Sequence, residues 1–334
     1  MSRCQTVVPV AEASQVGEAR RTAVQAAERA GLGETDRGRV AIVVTELANN
    51  LVRHAHGGGD VLVRPVDSPA GPGLEILSID RGPGMADVAA CMRDGFSTGG
   101  TPGTGLGAVR RLSDRFDIHS ARPAGTTVLS RVERAAAGAA RPEFEWAAVC
   151  VPVRGETVCG DTWRVAERPG ELSILMADGL GHGPLAADAA AAAGDAFDAN
   201  PFAGPRPVVE AAHARMQGTR GGAVAVFHVA GAAARYAGVG NIAGSIVSPA
   251  GSRGLASHNG TAGVQVRKVQ EFDYPWPPGA VLVMHSDGLQ GRWSFDALPG
   301  AAQRHPAVVA ALLYRDFARG RDDLTVAVVR AART

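Results

Sequence analysis

The chain has 334 residues, long for one hydrophobic core and ample for two. Hydrophobic residues make up 46% and charged residues 20%, the balance of an ordinary globular protein. A formal net charge of +1 gives no bulk attraction to a polyanion, so no nucleic-acid partner is expected, while an acidic protein partner stays open. The four scattered cysteines form no CxxC pair, which speaks against a structural zinc site and fits a reducing compartment. MSRCQTVVPV at the N-terminus lacks the apolar core of a signal peptide, and no stretch reaches about 18 uninterrupted apolar residues. A cytoplasmic protein with no membrane partner is expected.

In chain order, a strand at 7–10 precedes a helix over 12–30, ended by Gly31 and Gly33. Asp36 is placed to cap a second helix that runs to about residue 56, where three glycines stop it. Strands follow at 60–65, 74–80, 116–120 and 126–132, with helical signals at 86–93 and 106–113. Together they predict an α/β sandwich with one helical face. The small, nearly uncharged AAAGAARP at 135–142 packs poorly and reads as a linker, dividing the chain into 1–134 and 143–334. Beyond it, apolar runs at 146–153, 171–177, 223–229, 242–247, 280–285 and 324–330 are bounded by Gly, Pro and Asp and read as strands. Helices are predicted at 185–197, 206–217 and 306–318. The second part is expected to be a β-sandwich flanked by helices, and the whole chain α+β.

Three pieces of the first part point to a nucleotide. TELANNLVRHA (45–55) puts Glu46 and Asn50 four apart on one helix face, where a carboxylate and an amide could hold hydrated magnesium. DRGPGM (80–85) follows an apolar strand; an aspartate there can accept from an adenine amino group while Gly82 and Gly84 let backbone approach the base. STGGTPGTGLG (97–107) runs into a helix, and its free N–H groups suit phosphate oxygens. Singly, DxGxG is often only a turn, a glycine run a flexible loop, and a helical asparagine a surface residue. In this order and spacing they are far more specific. Residues 5–133 resemble the GHKL ATPase superfamily, and within it the serine kinases of the RsbW/RsbT type. The resemblance implies a Bergerat-type sandwich in which Asn50 binds magnesium, Glu46 is the general base and Asp80 recognises adenine. Gly82, Gly84 and the lid residues Gly103, Thr104, Gly105, Leu106 and Gly107 would hold the rest of the ATP. Arg53 and His54 would lie near the phosphates.

The second part carries four aspartate motifs: VCGD (158–161), MADGLGHG (176–183), HSDGL (285–289) and GRDDLTV (320–326). Asp178 and Asp287 follow predicted strands, and Asp322 and Asp323 precede one. Carboxylates gathered at strand ends suit Mg²⁺ or Mn²⁺, and two such ions can activate a water against a phosphate ester. One Asp-Gly pair is most often only a turn; four such motifs, with an Asp-Asp doublet before a strand, are not explained that way. From about residue 144 to 330 the chain resembles the PPM phosphatases, in the SpoIIE/RsbX branch. The resemblance implies that Asp178 bridges two metals, Gly179 offers its carbonyl, Asp287 and Asp322 complete one metal, and Asp161 binds the second. Which of Asp322 and Asp323 coordinates is open. His182 is either an acid to the leaving serine oxygen or structural. No certain counterpart of the eukaryotic phosphate-binding arginine is found, and Arg220 is a candidate.

The combined resemblance is to partner-switching regulators, so the expected partner is a phosphorylated STAS-domain protein. A kinase and a phosphatase acting together on one serine would only hydrolyse ATP. Either the two activities are separately controlled, or their substrates differ, or the first domain only senses nucleotide or a partner and gates the second.

Overall fold

The computed structural model describes residues 4–68, 71–92, 105–134 and 142–332. The predicted lid residues Gly103 and Thr104, and linker residues 135–141, lie outside these. The chain divides into two compact units: Met1–Arg141 with Ser294–Arg315, and Pro142–Trp293 with Asp316–Thr334. The stretch 294–315, which sequence reading keeps with the second domain, therefore groups with the first unit.

The first unit runs β1 (Thr6–Val10), α1 (Ala13–Arg29), α2 (Glu34–His54), β2 (Gly59–Ser68), β3 (Gly71–Asp80), α3 (Val88–Cys91), α4 (Gly105–Leu112), β4 (Arg115–Ala121) and β5 (Gly125–Glu133). Its strands form one antiparallel sheet in the order β1-β2-β3-β5-β4. A capping box between Glu12 and Gln15 starts α1, and the small Ala19, Ala23, Ala26 and Ala27 form its buried side. In α2, Val40, Val43, Val44, Leu47, Ala48 and Leu51 recur at three and four residues and make one apolar stripe. Gly33 takes the N-cap position of α2, so Asp36 falls inside the first turn, where it pairs with Arg39 at 3.0 Å instead of capping. Both stripes join a core with Val61, Val63, Leu74, Ile76, Ile118 and Val128 of the sheet.

Strand alternation sends the intervening residues to the other sheet face. Glu75 lies there, 1% exposed, gripped by Arg64 at 2.8 Å and Arg131 at 2.6 Å. The 294–315 stretch bonds to this face. Asp117 accepts from the His305 backbone N–H at 2.7 Å and pairs with Arg304 at 3.3 Å, and His119 Nε2 lies 2.9 Å from the Pro299 carbonyl. The helix Pro306–Phe317 that follows is buried at nearly every position.

The second unit contains β6 (Phe144–Val151), β7 (Asp161–Arg168), β8 (Glu171–Gly179), α5 (Pro184–Ala199), α6 (Pro205–Arg215), β9 (Gly222–Ala230), β10 (Ala233–Val239), β11 (Ala243–Ser248), β12 (Gly251–Gly254), β13 (Gly260–Thr261), β14 (Gln265–Val266), β15 (Phe272–Pro275), β16 (Val281–His285) and β17 (Leu324–Ala331). Two five-stranded sheets, β15-β10-β9-β8-β7 and β12-β11-β16-β17-β6, make the expected sandwich. Trp146 of β6 and Trp163 of β7 meet edge-on, with ring centroids 5.7 Å apart. Alanines of α5 and the Val208–Val209 pair of α6 pack on Leu175, Val224, Val226 and Ala237 of the first sheet. Among the described residues, no helix is long and apolar enough to cross a membrane.

Candidate active sites

In the first unit the described residues of the nucleotide pieces lie along α2 and at its C-terminal end. Glu46 and Asn50 lie on α2, and Gly105 at the start of α4 faces both. A Cβ built on Gly105 would sit 3.2 Å from Glu46 Oε2 and 3.8 Å from Asn50 Oδ1. Leu106 packs against the unit's core and Gly107 is buried. Asp80 closes β3, and its Oδ1 accepts from the N–H groups of Gly82 at 2.7 Å and Thr126 at 3.2 Å. Burial raises the Asp80 pKa above the usual range against the pull of those bonds and of Arg315 and His54. Gly82 tolerates no side chain, since a Cβ would fall 2.8 Å from Ala55 Cα. Gly84, at φ +68°, lies beneath the Ala121 carbonyl.

In the second unit the aspartates cluster. Asp161 and Asp178 are cross-strand partners at the ends of β7 and β8. Burial, then the charges of Asp161, Asp287, Asp322 and Asp323, push the Asp178 carboxyl up to about 9. Asp287 and Asp323 are raised too, each mainly by burial and further by the Asp322 charge. Such mutual repulsion is what an oxygen-rich divalent-cation site has before its ion neutralises it. Among the described residues no three of these carboxylates bring one oxygen each within 4.8 Å of one another. Gly179 is sterically required, because a Cβ would lie 2.1 Å from the Ala186 carbonyl oxygen.

Hydrogen bonds differentiate the carboxylates. Asp323, 2% exposed, accepts the Val153 N–H on one oxygen and the Gly160 N–H on the other, both at 2.7 Å. Among the described residues Asp322 Oδ1 accepts only the adjacent Asp323 N–H, at 2.9 Å, and Asp322 with Asp287 lines a cavity of about 420 Å³. Sequence reasoning missed several supports. Ser286 donates to Asp161 Oδ2 at 2.6 Å and accepts from the Thr325 N–H; Asn241 donates to Asp287 Oδ2 at 2.7 Å. His182 Nδ1 lies 2.8 Å from Glu156 Oε1. Ser286 adjoins the Asp287 motif, a signal that could have found it; Glu156 sits in a loop with none. Arg220 is exposed, its Nη1 3.2 Å from a Cβ built on Gly181.

The histidine kinase-like ATPase domain family matches residues 10–131, and the stage II sporulation protein E (SpoIIE) family matches residues 168–332. Over 110 residues the chain is 37% identical to the serine/threonine-protein kinase RsbT of Bacillus subtilis, spanning 33% of this chain and 82% of that protein. The chain belongs, through its first part, to the histidine kinase-like ATPase domain family. Its SpoIIE-type part is 25% identical over 138 residues to the phosphoserine phosphatase RsbX of the same organism, spanning 40% of this chain and 69% of RsbX. A chain solved in work on the bacterial stressosome, a modular system adapted to control secondary messenger signalling, aligns at TM-score 0.53 and 27% identity; the match covers 56% of this chain and 99% of that one. RsbX solved in complex with magnesium aligns at TM-score 0.50 and 21% identity, over 58% of this chain and 98% of RsbX, a likeness of fold. The protein thus joins a histidine kinase-like ATPase domain to a SpoIIE-type phosphatase domain.

Proposed function

We propose that the SpoIIE-type domain is a metal-dependent serine/threonine phosphatase acting on a phosphorylated STAS-type regulator, and that the first domain binds ATP with magnesium and is a serine kinase. The observation that carries the phosphatase reading is the electrostatic one: five carboxylates gather, and the charges of four of them add to burial in raising Asp178. Asp161, Asp178, Asp287, Asp322 and the Gly179 carbonyl are oxygen donors suited to two Mg²⁺ or Mn²⁺ ions. Bound divalent cations would supply an activated water for attack on a phosphate ester. Asp323, with both oxygens engaged by backbone N–H groups, ties the Val153 and Gly160 loops to β17, and Asp322 beside it takes the direct ligand role. Glu156 orients the His182 ring through Nδ1, leaving Nε2 to protonate the leaving serine oxygen.

In the ATPase-type domain, Asp80 is assigned to the adenine amino group, Asn50 to magnesium, and Glu46 to the substrate hydroxyl as base. Gly82 and Gly84 give the base its backbone floor, and residues 103–107 are assigned to phosphate. One observation favours a second reading, in which nucleotide gates the phosphatase without phosphoryl transfer. Arg315 donates to the Asp80 carbonyl at 3.4 Å, and the buried helix that carries it lies in sequence between Asp287 and Asp322. The test is a manganese-dependent assay on a phosphorylated STAS protein, with and without ATP. Release of phosphate that needs the metal supports the phosphatase, and no release under any metal sinks it. Transfer of labelled γ-phosphate to the STAS protein supports the kinase. A changed release rate in ATP without transfer supports gating.

A further inference from the structure

The cavity beside the acidic cluster holds cations as well as carboxylates. It is lined by Asp287, Gln290, Ala318, Arg319, Arg321 and Asp322. Arg319 and Arg321 are exposed, and neither side chain is held in an ion pair among the described residues. Arg319 is fixed at its backbone, donating its N–H to the Gly288 carbonyl at 2.9 Å, so it cannot drift from the Asp287 turn. Its charge already bears on the Asp287 carboxylate. Arg321 immediately precedes Asp322. The arginines thus flank the two aspartates assigned above to one metal. Arg220, the arginine that the sequence singles out, sits instead over Gly181 and does not line the cavity.

We propose that Arg319 and Arg321 form a phosphate clamp that seats the phosphomonoester dianion of a phosphoserine or phosphothreonine against the metal site. The proposal rests on the phosphatase reading above and names the group that binds the substrate's phosphoryl oxygens. Charge balance explains why the pair is placed there. Without cations, Asp287 and Asp322 offset the arginines. Once those carboxylates are committed to divalent ions, two guanidinium groups remain at the cavity wall with no acid to answer them. A phosphate dianion is their natural complement, since a guanidinium fork matches two phosphate oxygens. The cavity falls within the size range of small-ligand sites, so a phosphorylated side chain fits with room to spare.

The test uses the full-length chain with Arg319→Ala and Arg321→Ala combined, and a second variant with Lys at both positions. Inorganic phosphate is titrated calorimetrically into Mn²⁺-loaded protein, Mn²⁺ affinity is measured separately, and hydrolysis of p-nitrophenyl phosphate is followed. The alanine pair is expected to weaken phosphate binding about tenfold or more, with KM raised by a similar factor and Mn²⁺ affinity unchanged. The lysine pair is expected to restore part of the binding. Phosphate affinity within about twofold of wild type in the alanine pair overturns the clamp. So does a parallel loss of Mn²⁺ affinity, which makes the arginines a charge balance for the aspartates only. A loss seen with phosphopeptides but not with phosphate or p-nitrophenyl phosphate also overturns it, because the arginines then read flanking acidic residues. Wild-type protein that binds phosphate but hydrolyses nothing sinks the phosphatase reading and leaves the clamp standing.

Discussion

Glu75 in the first unit is fully buried and Asp178 in the second half-buried, and their surroundings have opposite sign. Burial pushes each carboxyl up. At Glu75 the charges and hydrogen bonds of Arg64 and Arg131 overcome it and hold the group down at about 2. At Asp178 the charges of Asp161, Asp287, Asp322 and Asp323 add to it, and the group rises to about 9. One carboxylate completes a closed balance and ties β2, β3 and β5 together. The other leaves an open deficit that a cation must fill. A buried acid is therefore read as structural or as functional by what stands around it, not by its burial.

The widest separation between the two comes from Asp178→Asn. Removing an outer partner of a metal ligand alone costs about 10–100-fold, so loss of the proposed bridging ligand is expected to exceed about a hundredfold in metal-dependent hydrolysis. ATP binding in the first domain is expected to persist. The sign of stability distinguishes this site from Glu75. A carboxyl raised in the folded state makes metal-free protein lose stability as pH climbs from the ordinary value near 3.8 through about 9. Asp178→Asn is expected to flatten that slope. Excess Mg²⁺ should stabilise wild type by about 2.7 kcal/mol at a hundred times Kd, and the variant far less. Urea unfolding at pH 5 and pH 8, with and without Mg²⁺, checks both; a metal-independent slope equal in the two proteins removes the cation-site reading.

Glu75→Gln should behave the other way. It takes the shared acid from buried Arg64 and partly buried Arg131, and breaking such a pair destabilises by about 3–5 kcal/mol. In wild type the Glu75 contribution is present above the unfolded value near 4.5 and is lost as pH falls through about 2. Acid titration followed by circular dichroism should show the variant losing this acid dependence. Phosphatase activity at pH 7, measured below the variant's melting point, is expected to stay near wild type. A variant as stable as wild type makes the buried ion pair dispensable.

Much of this was legible in sequence because the signals were local. The strands carrying the motifs are apolar and flanked by Gly, Asp or Pro, and the motif aspartates fall at or beside strand ends as periodicity predicts. The strands missed were β7, β10 and β12 to β15, of which β12 to β14 have only two to four residues each. DTWRVAER mixes charges into its alternation, AARYAGV is built of small residues, and FDYP is short and ends in proline. The helix Pro306–Phe317 is predicted, but with nearly all its positions buried it carries no narrow apolar stripe, so the grouping of its residues up to Arg315 with the first unit is not readable from sequence. The Asp322–Asp323 doublet is ambiguous in sequence because the distinction lies in loops 163 and 170 residues away.

That doublet gives the next contrast, within one site. Asp323→Asn loses an ionised acceptor for two buried N–H groups, and about 1–3 kcal/mol of stability is expected to go with it. Asp322→Asn accepts only its neighbour's N–H and should change stability by less than about 0.5 kcal/mol while lowering Mn²⁺ affinity. Equal loss of stability in both variants would reverse the proposed division of roles.

The smallest expected effect concerns Asp80, a carboxylate between the two extremes. Burial raises it, but the N–H groups of Gly82 and Thr126 oppose the rise by occupying Oδ1. Its other oxygen takes no protein hydrogen bond among the described residues, and it is the acceptor assigned to an adenine amino group. Asp80→Asn can keep one oxygen on the two backbone donors, which turns an NH₂ towards the base. Donor then meets donor, and the lost hydrogen bond to a charged acceptor corresponds to about 1.5–3 kcal/mol, at least about tenfold in ATP affinity. GTP, which offers a carbonyl where ATP offers an amino group, should lose less or gain. Fluorescent-nucleotide titration of both purines checks this. An equal loss for ATP and GTP would mean that Asp80 shapes the pocket without reading the base, leaving Glu46 and Asn50 as the only assigned side-chain contacts to nucleotide and its metal.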